Sequence, residues 1–206
     1  MADLKEIRFS CTRCGNCCTD INTLVNVTFL DISRIIKSLK LDLKESLDIF
    51  GFYVHKKGLT QETLRKMVVS PIETEKGPAF IGIMKNNQGT CFFYDNKNKK
   101  CLIYSLRPMF CRSFPFSFKL SNNEKNSGEK KFLISFTVKA KEYCPGIGND
   151  APFIDLEHWQ DLAQRILIEL KENNKFNQNW NKNVKNKRFS PSAKNFIELI
   201  MKLSED

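Results

Sequence analysis

The stretch Phe9-Ser10-Cys11-Thr12-Arg13-Cys14-Gly15-Asn16-Cys17-Cys18 places four cysteines within eight residues. Gaps of two residues let successive thiolates converge on one centre, and Gly15 permits the tight loop that such wrapping requires. Three cysteines at this spacing suit three corners of a cubane iron–sulfur cluster, with the fourth ligand arriving from elsewhere in the chain. A four-cysteine zinc site is the alternative. The stretch therefore predicts a cysteine-bearing core that binds metal.

The side chains of the adjacent pair Cys17-Cys18 are expected to diverge, so that one of them serves a second centre or a different edge of the same one. The other four cysteines are dispersed along the chain, at Cys91, Cys101, Cys111 and Cys144. Free cysteines often pack as small buried hydrophobes. Each of these four, however, has a loop-like or strand-start context, which favours metal binding. The eight cysteines predict either two four-thiolate sites or one site with spare or redox-active thiols.

Composition is that of a globular protein, with 41% hydrophobic and 27% charged residues among 206. No apolar run approaches the ~18 residues that span a bilayer. The first ten residues carry charges and no apolar core, so no secretory signal is expected and the predicted location is the cytoplasm. In that reducing compartment, metal thiolates are favoured over disulfides.

The formal net charge of +10 raises the question of nucleic-acid binding. Much of the positive charge falls in Lys/Asn-rich segments, 97–100, 125–131 and 171–188, which are interpreted as solvated loops and helix ends. Bound thiolates would also lower the net charge. A nucleic-acid site is therefore not expected, and the predicted partner is a protein of unknown identity, such as a redox partner.

Periodicity and turn residues predict a mixture of short strands and helices. The first half is predicted to hold a strand at 21–27, a helix capped by Thr28 with Asp31 as partner, a helix after Asp42, a short helical piece at 60–66, and a strand at 78–84. In the second half, a hairpin is predicted for 91–94 with 101–104, a helical turn at 105–112, and strands at 114–120 and 132–138. A helix is predicted from Asp155, followed by a polar connection at 171–188. A last helix is predicted after Ser190-Pro191, with these apolar residues facing inward: Phe196, Ile197, Ile200 and Leu203.

Two arginines and two histidines are further candidates for the site. Arg107 and Arg112 are predicted to bind a cofactor, because guanidinium groups beside thiolates balance cluster charge or hold an anionic ligand. The alternative for each is a structural pair with a local carbonyl or carboxylate. His55 and His158 are the only histidines. Neither is favoured as a ligand, because eight thiolates already suffice.

The cysteine pattern resembles that of the YkgJ-type proteins, a family described as a zinc- or iron-chelating CxxCxxCC domain. The resemblance covers residues 9 to about 146 and includes all eight cysteines. Its motifs are Phe9-x-Cys11-x-x-Cys14-Gly-x-Cys17-Cys18, Cys91-x-Phe93, Cys101-x-Ile103-Tyr104-x-x-Arg107-Pro108-x-x-Cys111-Arg112-x-Phe114-Pro115 and Cys144-Pro145-Gly146. Flagellin lysine N-methylases share the cysteine cluster, so the resemblance also admits a methyl-transfer role. The sequence has no G-x-G-x-x-G and no Walker loop.

These features predict an α+β fold, in which a cysteine-rich metal-binding core of loops and short antiparallel strands carries flanking helices. Residues 1–150 are expected to form the metal-binding domain, and residues 151–206 a helical extension packed on it. The leading hypothesis is a 4Fe-4S cluster bound by Cys11, Cys14, Cys17 and a distant cysteine, with the other thiolates holding a second metal. The alternatives are a zinc-binding interaction module and a methylase-like enzyme, so enzymatic activity is left open.

Overall fold

The computed structural model describes residues 7–54, 67–121 and 131–205. Its helices are α1 (Asn16–Thr19), α2 (Phe29–Leu39), α3 (Leu43–Ile49), α4 (Met109–Ser113), α5 (Val138–Tyr143), α6 (Leu156–Lys185) and α7 (Ala193–Glu205), with a 3-10 turn at Tyr104–Leu106. Its strands are β1 (Phe50–Val54), β2 (Ile72–Thr74), β3 (Gly77–Ile83), β4 (Tyr94–Asp95), β5 (Lys100–Cys101), β6 (Phe116–Leu120) and β7 (Phe132–Phe136). The α+β prediction is confirmed. The helix expected at 60–66 lies outside the described residues.

The largest sheet is antiparallel, with β3 between β1 and β2. Phe50 pairs with Ile83, and Ile72 pairs with Ala79. The strand expected at 21–27 is not formed as such: the chain is extended beside β3, with one bridge between Asn26 and Gly82. Position 82 favours glycine, because a Cβ there would lie 2.9 Å from the Val25 carbonyl oxygen. This segment leads directly from the cysteine loop into the main core.

Helices α2 and α3 begin at the residues that the sequence predicts. Thr28 and Asp31 form a capping box at the start of α2, and Asp42 forms one with Glu45 at the start of α3. Each box satisfies backbone N–H groups that have no partner within the helix. The two helices bury Ile32, Ile35, Ile36 and Ile49 against the three-stranded sheet. The caps thus fix where the apolar face of each helix begins.

The polar connection predicted at 171–188 is wrong, because α6 continues through this segment to Lys185. Its asparagines lie along the helix and bond to the main chain that precedes and enters β2. Asn174 accepts from the Ser70 N–H and donates to the Val68 carbonyl, Asn177 donates to Ser70, and Asn181 bonds to Glu73 and Pro71. The Trp180 indole donates to the Glu73 carbonyl at 2.9 Å. These amides replace the partners that an edge segment would otherwise lack.

Helices α6 and α7 contribute to the same core as the sheet. Trp180, Phe196, Ile197 and Ile200 pack with the apolar residues of α2, α3 and β1. Leu203, expected inward, is 53% exposed. A second apolar cluster joins Ile7, Phe116 and Ile134 near Trp159, so the β6–β7 hairpin packs on the first turns of α6. In the described ranges, no helix combines the length and apolar composition needed to cross a bilayer.

Candidate metal centre

The cysteine loop is shaped by one glycine and one short helix. Gly15 has φ 81°, and a Cβ at this position would overlap the Tyr94 hydroxyl. The carbonyl of Gly15 accepts from the N–H groups of Cys18 at 2.8 Å and Thr19 at 3.1 Å. These bonds start α1, which carries Cys17 and Cys18. The loop therefore needs glycine both for its left-handed backbone and for its close approach to Tyr94.

The dispersed cysteines reach this loop through separate elements. The Cys91 N–H donates to the Cys18 carbonyl at 2.8 Å, and Cys101 lies in β5, opposite Tyr94. Cys111 lies in α4, and Cys144 follows the last residue of α5. The segment around Cys144 is held by two bonds, from the Ser10 N–H to the Gly146 carbonyl and from the Asn16 amide to the Tyr143 carbonyl. The tertiary fold thus gathers all eight cysteines at one place.

Two cavities lie between these cysteines. The larger thiol cavity, of about 200 Å³, is lined by Cys11, Cys17, Cys18, Cys91, Cys101 and Cys111. The smaller thiol cavity, of about 50 Å³, is lined by Cys11, Cys14, Cys17, Cys111 and Cys144. Every cysteine of the chain therefore lines at least one of the two cavities. The remaining wall of the larger cavity is mainly apolar, with Val25, Ile83, Phe93 and Ile103.

The thiols line the two cavities, but they do not converge on a single position. Within residues 7–54, 67–121 and 131–205, no three Cys, His, Asp or Glu side chains converge as a single ion requires. Cys17 and Cys18, expected to diverge, have their Sγ atoms 4.0 Å apart. For comparison, two sulfurs each ~2.3 Å from one tetrahedral zinc lie about 3.8 Å apart. The donor set, which is all thiol within an apolar wall, suits thiophilic metals such as zinc and iron.

The thiols differ sharply in acidity. The pKa of Cys17 falls to about 7, chiefly because of its hydrogen bond with the Cys18 thiol and with a smaller contribution from the Arg107 charge; burial opposes the change. The pKa of Cys18 is raised by the same hydrogen bond and by burial. Burial, followed by the charges of Cys17 and Cys91, raises the pKa of Cys111. The Cys17 thiolate therefore forms readily, whereas Cys18 and Cys111 need a cation to replace their protons.

The two candidate arginines have different surroundings. Arg107 lines both thiol cavities, with its guanidinium 4.0 Å above the centre of the Tyr104 ring. Arg13 lies over the same ring at 4.6 Å. Arg112 lines neither thiol cavity and pairs with Glu169 at 3.3 Å. Arg107 is therefore placed to balance thiolate charge, whereas a cofactor-binding role for Arg112 stays a prediction.

A buried ionic network supports the helix that carries Cys111. Asp31 is 1% exposed, accepts from the Met109 N–H at 2.9 Å and pairs with Arg34. Glu169 pairs with Arg34 at 3.1 Å as well as with Arg112. From the sequence, Asp31 was expected only as a helix cap, and Glu169 was not expected at all. The available signal was a carboxylate on the apolar stripe of α6, three residues after Ile166, where a buried charge needs a partner.

His158 does not line either thiol cavity. His158 is exposed and meets the Trp159 ring edge-on at 5.6 Å. His55 lies outside the described residues. The larger thiol cavity is also lined by Tyr94 and Lys100, which were not expected there, and by Tyr104, which was named only as part of the family motif. They follow or precede cysteines by no more than three residues, which was the only available signal.

Comparison with known proteins agrees with this arrangement. A family model named CxxCxxCC, described as "Putative zinc- or iron-chelating domain", matches residues 10–145. An uncharacterized protein of Methanocaldococcus jannaschii, MJ0661, is 28% identical over 144 residues, which are 70% of this chain. The match spans 60% of that relative's length. No solved structure matches the chain. The match covers well over half of the chain and takes in all eight cysteines, so this protein belongs to the CxxCxxCC family of metal-chelating domains.

Proposed function

We propose that this protein binds two metal centres through four thiolates each, and that at least one centre is a 4Fe-4S cluster. The observation that carries the proposal is the division of the eight cysteines between two adjoining cavities. Cys14 and Cys144 line only the smaller thiol cavity, and Cys18, Cys91 and Cys101 line only the larger one. Cys11, Cys17 and Cys111 line both.

Electrostatic neighbours support one way to divide the shared cysteines. The charges that act on Cys144 come from Cys14, Cys11 and Cys17. Those that act on Cys18 come from Cys17, Cys91 and Cys111. Cys17 acts on both, and its place in the Cys-x-x-Cys-x-x-Cys run favours the first group. We assign the first centre to Cys11, Cys14, Cys17 and Cys144, and the second to Cys18, Cys91, Cys101 and Cys111. Cys144 is then the distant fourth ligand of the Cys-x-x-Cys-x-x-Cys run.

Three features support iron–sulfur chemistry. The spacing of Cys11, Cys14 and Cys17 is that of a cluster-binding run. At the second centre, the larger thiol cavity, at about 200 Å³, is many times the ~10–15 Å³ that one water needs, so it has room for a polynuclear group. Arg107 and Arg13 supply positive charge beside it. A bound cluster would supply one-electron redox chemistry, tuned by the apolar wall.

A zinc-binding module is the second candidate. The Cys17 and Cys18 sulfurs are 4.0 Å apart, close to the distance of about 3.8 Å between two sulfurs that bind one tetrahedral zinc ion. This separation favours a single ion bound by both thiolates. Zinc would then hold the loop, the β4–β5 hairpin and α4 together without redox chemistry. A methylase-like activity stays a proposal by resemblance alone.

Anaerobic purification followed by analysis of iron, zinc and acid-labile sulfide distinguishes the two candidates. We expect iron with matching sulfide and a brown chromophore that dithionite bleaches. The Arg107→Gln variant should keep its metal but shift the reduction potential to lower values, because positive charge beside a cluster stabilises the reduced form. Arg165→Gln, at an exposed position on α6, is the matched control. Zinc without sulfide would overturn the cluster proposal in favour of the module.

A further inference from the structure

Half of the formal net charge of the chain lies in residues 171–188. This stretch has six basic residues and one acidic residue, Glu172, a net charge of +5 out of +10. The interpretation of this stretch as a solvated connection was one reason for expecting no nucleic-acid site. The structure instead places residues 171–185 in the second half of α6. Each of these charges therefore has a fixed position on a helix.

The lysines in this half of α6 form one line along its surface. The exposed lysines are Lys171, Lys175, Lys182 and Lys185, and the exposed Gln178 fills the gap in their spacing. Residues that are three or four positions apart lie on the same face of a helix. We call the four lysines the basic stripe. At ~1.5 Å per residue, the stripe is about 21 Å long.

The opposite face of α6 holds the basic stripe in a fixed position. Asn177 and Trp180 are buried, and both donate to main-chain carbonyls of residues 70–73. The Phe176 ring is stacked on that of Phe29, with the ring centres 4.4 Å apart. Because these side chains are packed in the core, α6 presents the stripe to solvent on a rigid support.

The charge of the basic stripe is not neutralised within the described part of the chain. None of the four lysines forms an ion pair there. The helix dipole favours Lys182 and Lys185, which lie in the last turn, but it does not reach Lys171 and Lys175. A helix face that meets only solvent often carries acidic and basic residues in alternation. Here like charges repel at three- and four-residue spacing, and a bound polyanion would remove that repulsion.

The composition of the face indicates which class of partner fits it. Within 171–188, all of which the structure describes, no large hydrophobic side chain is exposed. Protein interfaces rely on aromatic and apolar anchors, and membrane-binding helices need an apolar face. The exposed amides of Gln178 and Asn179 are instead hydrogen-bond donors beside the lysines. Lysines and amides together are the groups that bind phosphate oxygens of nucleic acids.

Two further features favour a DNA duplex among nucleic acids. Proteins that bind single strands stack the bases on aromatic rings, but Phe176 and Trp180 are packed in the core and none is left on this face. The major groove of B-form DNA is wide enough for an α-helix, whereas that of A-form RNA is too narrow. A straight, rigid row of lysines on a helix therefore fits the phosphates beside the major groove of DNA.

We propose that the basic stripe binds the phosphate backbone of double-stranded DNA without regard to sequence. Contacts with phosphates give the four lysines the counter-charge that the described chain does not supply. The proposal goes beyond the metal-binding function and does not rest on it, because no residue of the stripe lines a thiol cavity. It makes this chain a metalloprotein that associates with DNA.

The salt dependence of DNA binding tests the proposal directly. Fluorescence anisotropy is measured with a labelled DNA duplex and the full chain as purified with its metal. Four phosphate contacts predict a slope of about −3.6 for the logarithm of the affinity against the logarithm of the salt concentration. Affinity should therefore fall about 150-fold between ~50 and ~200 mM salt. No measurable binding at the lower salt concentration, or an affinity that salt does not change, would overturn the proposal.

Two double variants with the same loss of charge test the location. Lys175→Gln with Lys182→Gln removes half of the basic stripe and keeps good helix formers, so circular dichroism should be unchanged. The slope should become shallower by about 1.8. Lys97→Gln with Lys99→Gln, at exposed positions in the turn between β4 and β5, is the matched control and should keep the full slope. Equal losses in the two variants would indicate attraction to net charge alone and overturn the assignment to α6.

Competition experiments test the choice of partner. Unlabelled RNA duplex, single-stranded DNA and polyglutamate, each at the same concentration of charge, should displace the labelled duplex less effectively than unlabelled duplex DNA does. Polyglutamate represents an acidic protein surface, and the two nucleic acids represent the A-form duplex and the unpaired strand. Equal or stronger competition by any of the three would overturn the choice of double-stranded DNA.

Discussion

The cysteine loop at 11–18 and the segment 91–111 bring thiols to the same place in different ways. Cys11, Cys14 and Cys17 are exposed, whereas Cys18, Cys91, Cys101 and Cys111 are partly buried. The spacing of the loop and the left-handed backbone of Gly15 place Cys11, Cys14 and Cys17 along the same small cavity. The segment needs the β4–β5 hairpin, α4 and the Asp31 network. One half of the site is local in sequence, and the other depends on the tertiary fold.

Metal removal should have the largest effect on stability. It should loosen the two cysteine-bearing regions while the helices stay folded. Chelation is expected to lower the free energy of unfolding by at least about 5 kcal/mol, less than the ~10–16 kcal/mol of a fold that depends wholly on metal, because the helical core remains packed. Hydrogen exchange should rise at 11–18 and 91–111 and stay low in α2 and α6. Loss of protection throughout α6 would contradict an independent helical core.

Asp31→Ala should destabilise the second metal centre, because Asp31 holds α4, the helix that carries Cys111. The change removes the acceptor for the Met109 N–H and leaves Arg34 without one of its partners. Loss of the helix cap and of the acceptor for a buried N–H together should cost about 2–4 kcal/mol, measurable by urea unfolding. Asp42→Ala removes a similar but exposed helix cap and should cost about 1 kcal/mol. Equal effects of the two variants would mean that the network does not support α4.

Much of the fold follows from local signals, and the exceptions have physical causes. The caps at Thr28 and Asp42 and the strand at 77–83 follow from sequence. The extension of α6 does not follow from the sequence, because asparagine is a weak helix former in isolation. Here hydrogen bonds to residues 68–73 stabilise the asparagines within the helix. Likewise, the eight cysteines are evident in the sequence, but their division between two cavities depends on long-range packing.

The asparagine contacts give a smaller, separable effect. Asn177 donates to the Ser70 carbonyl at 2.6 Å and is buried. Asn177→Ala should therefore cost about 1–3 kcal/mol, because a buried acceptor loses its partner. Gln178→Ala, exposed on the next position of α6, should change stability by less than about 0.5 kcal/mol. Metal content should be unchanged in both variants, and a loss of metal in Asn177→Ala would show that these contacts also support the site.

The smallest expected effect is a shift in the pH dependence of Cys17 alkylation. In metal-free protein its alkylation by iodoacetamide should rise as pH passes about 7, since the thiolate is the reactive form and its pKa is lowered to about 7. Arg107→Gln removes a positive charge that favours the thiolate, so the profile should move to higher pH and the rate at pH 7 should fall about two-fold. Mass spectrometry of the Cys17 peptide measures this, and a shift to lower pH would contradict the assignment.

Two double variants compare the two groups of cysteines by metal content. Cys14→Ser with Cys144→Ser alters cysteines that line only the smaller thiol cavity, and Cys91→Ser with Cys101→Ser alters cysteines that line only the larger one. Two four-thiolate centres predict that each double variant loses the metal of one centre and keeps that of the other, so the metal contents of the two variants should add up to that of the unchanged chain. Complete loss of metal in both, or full retention in either, would contradict two separate centres.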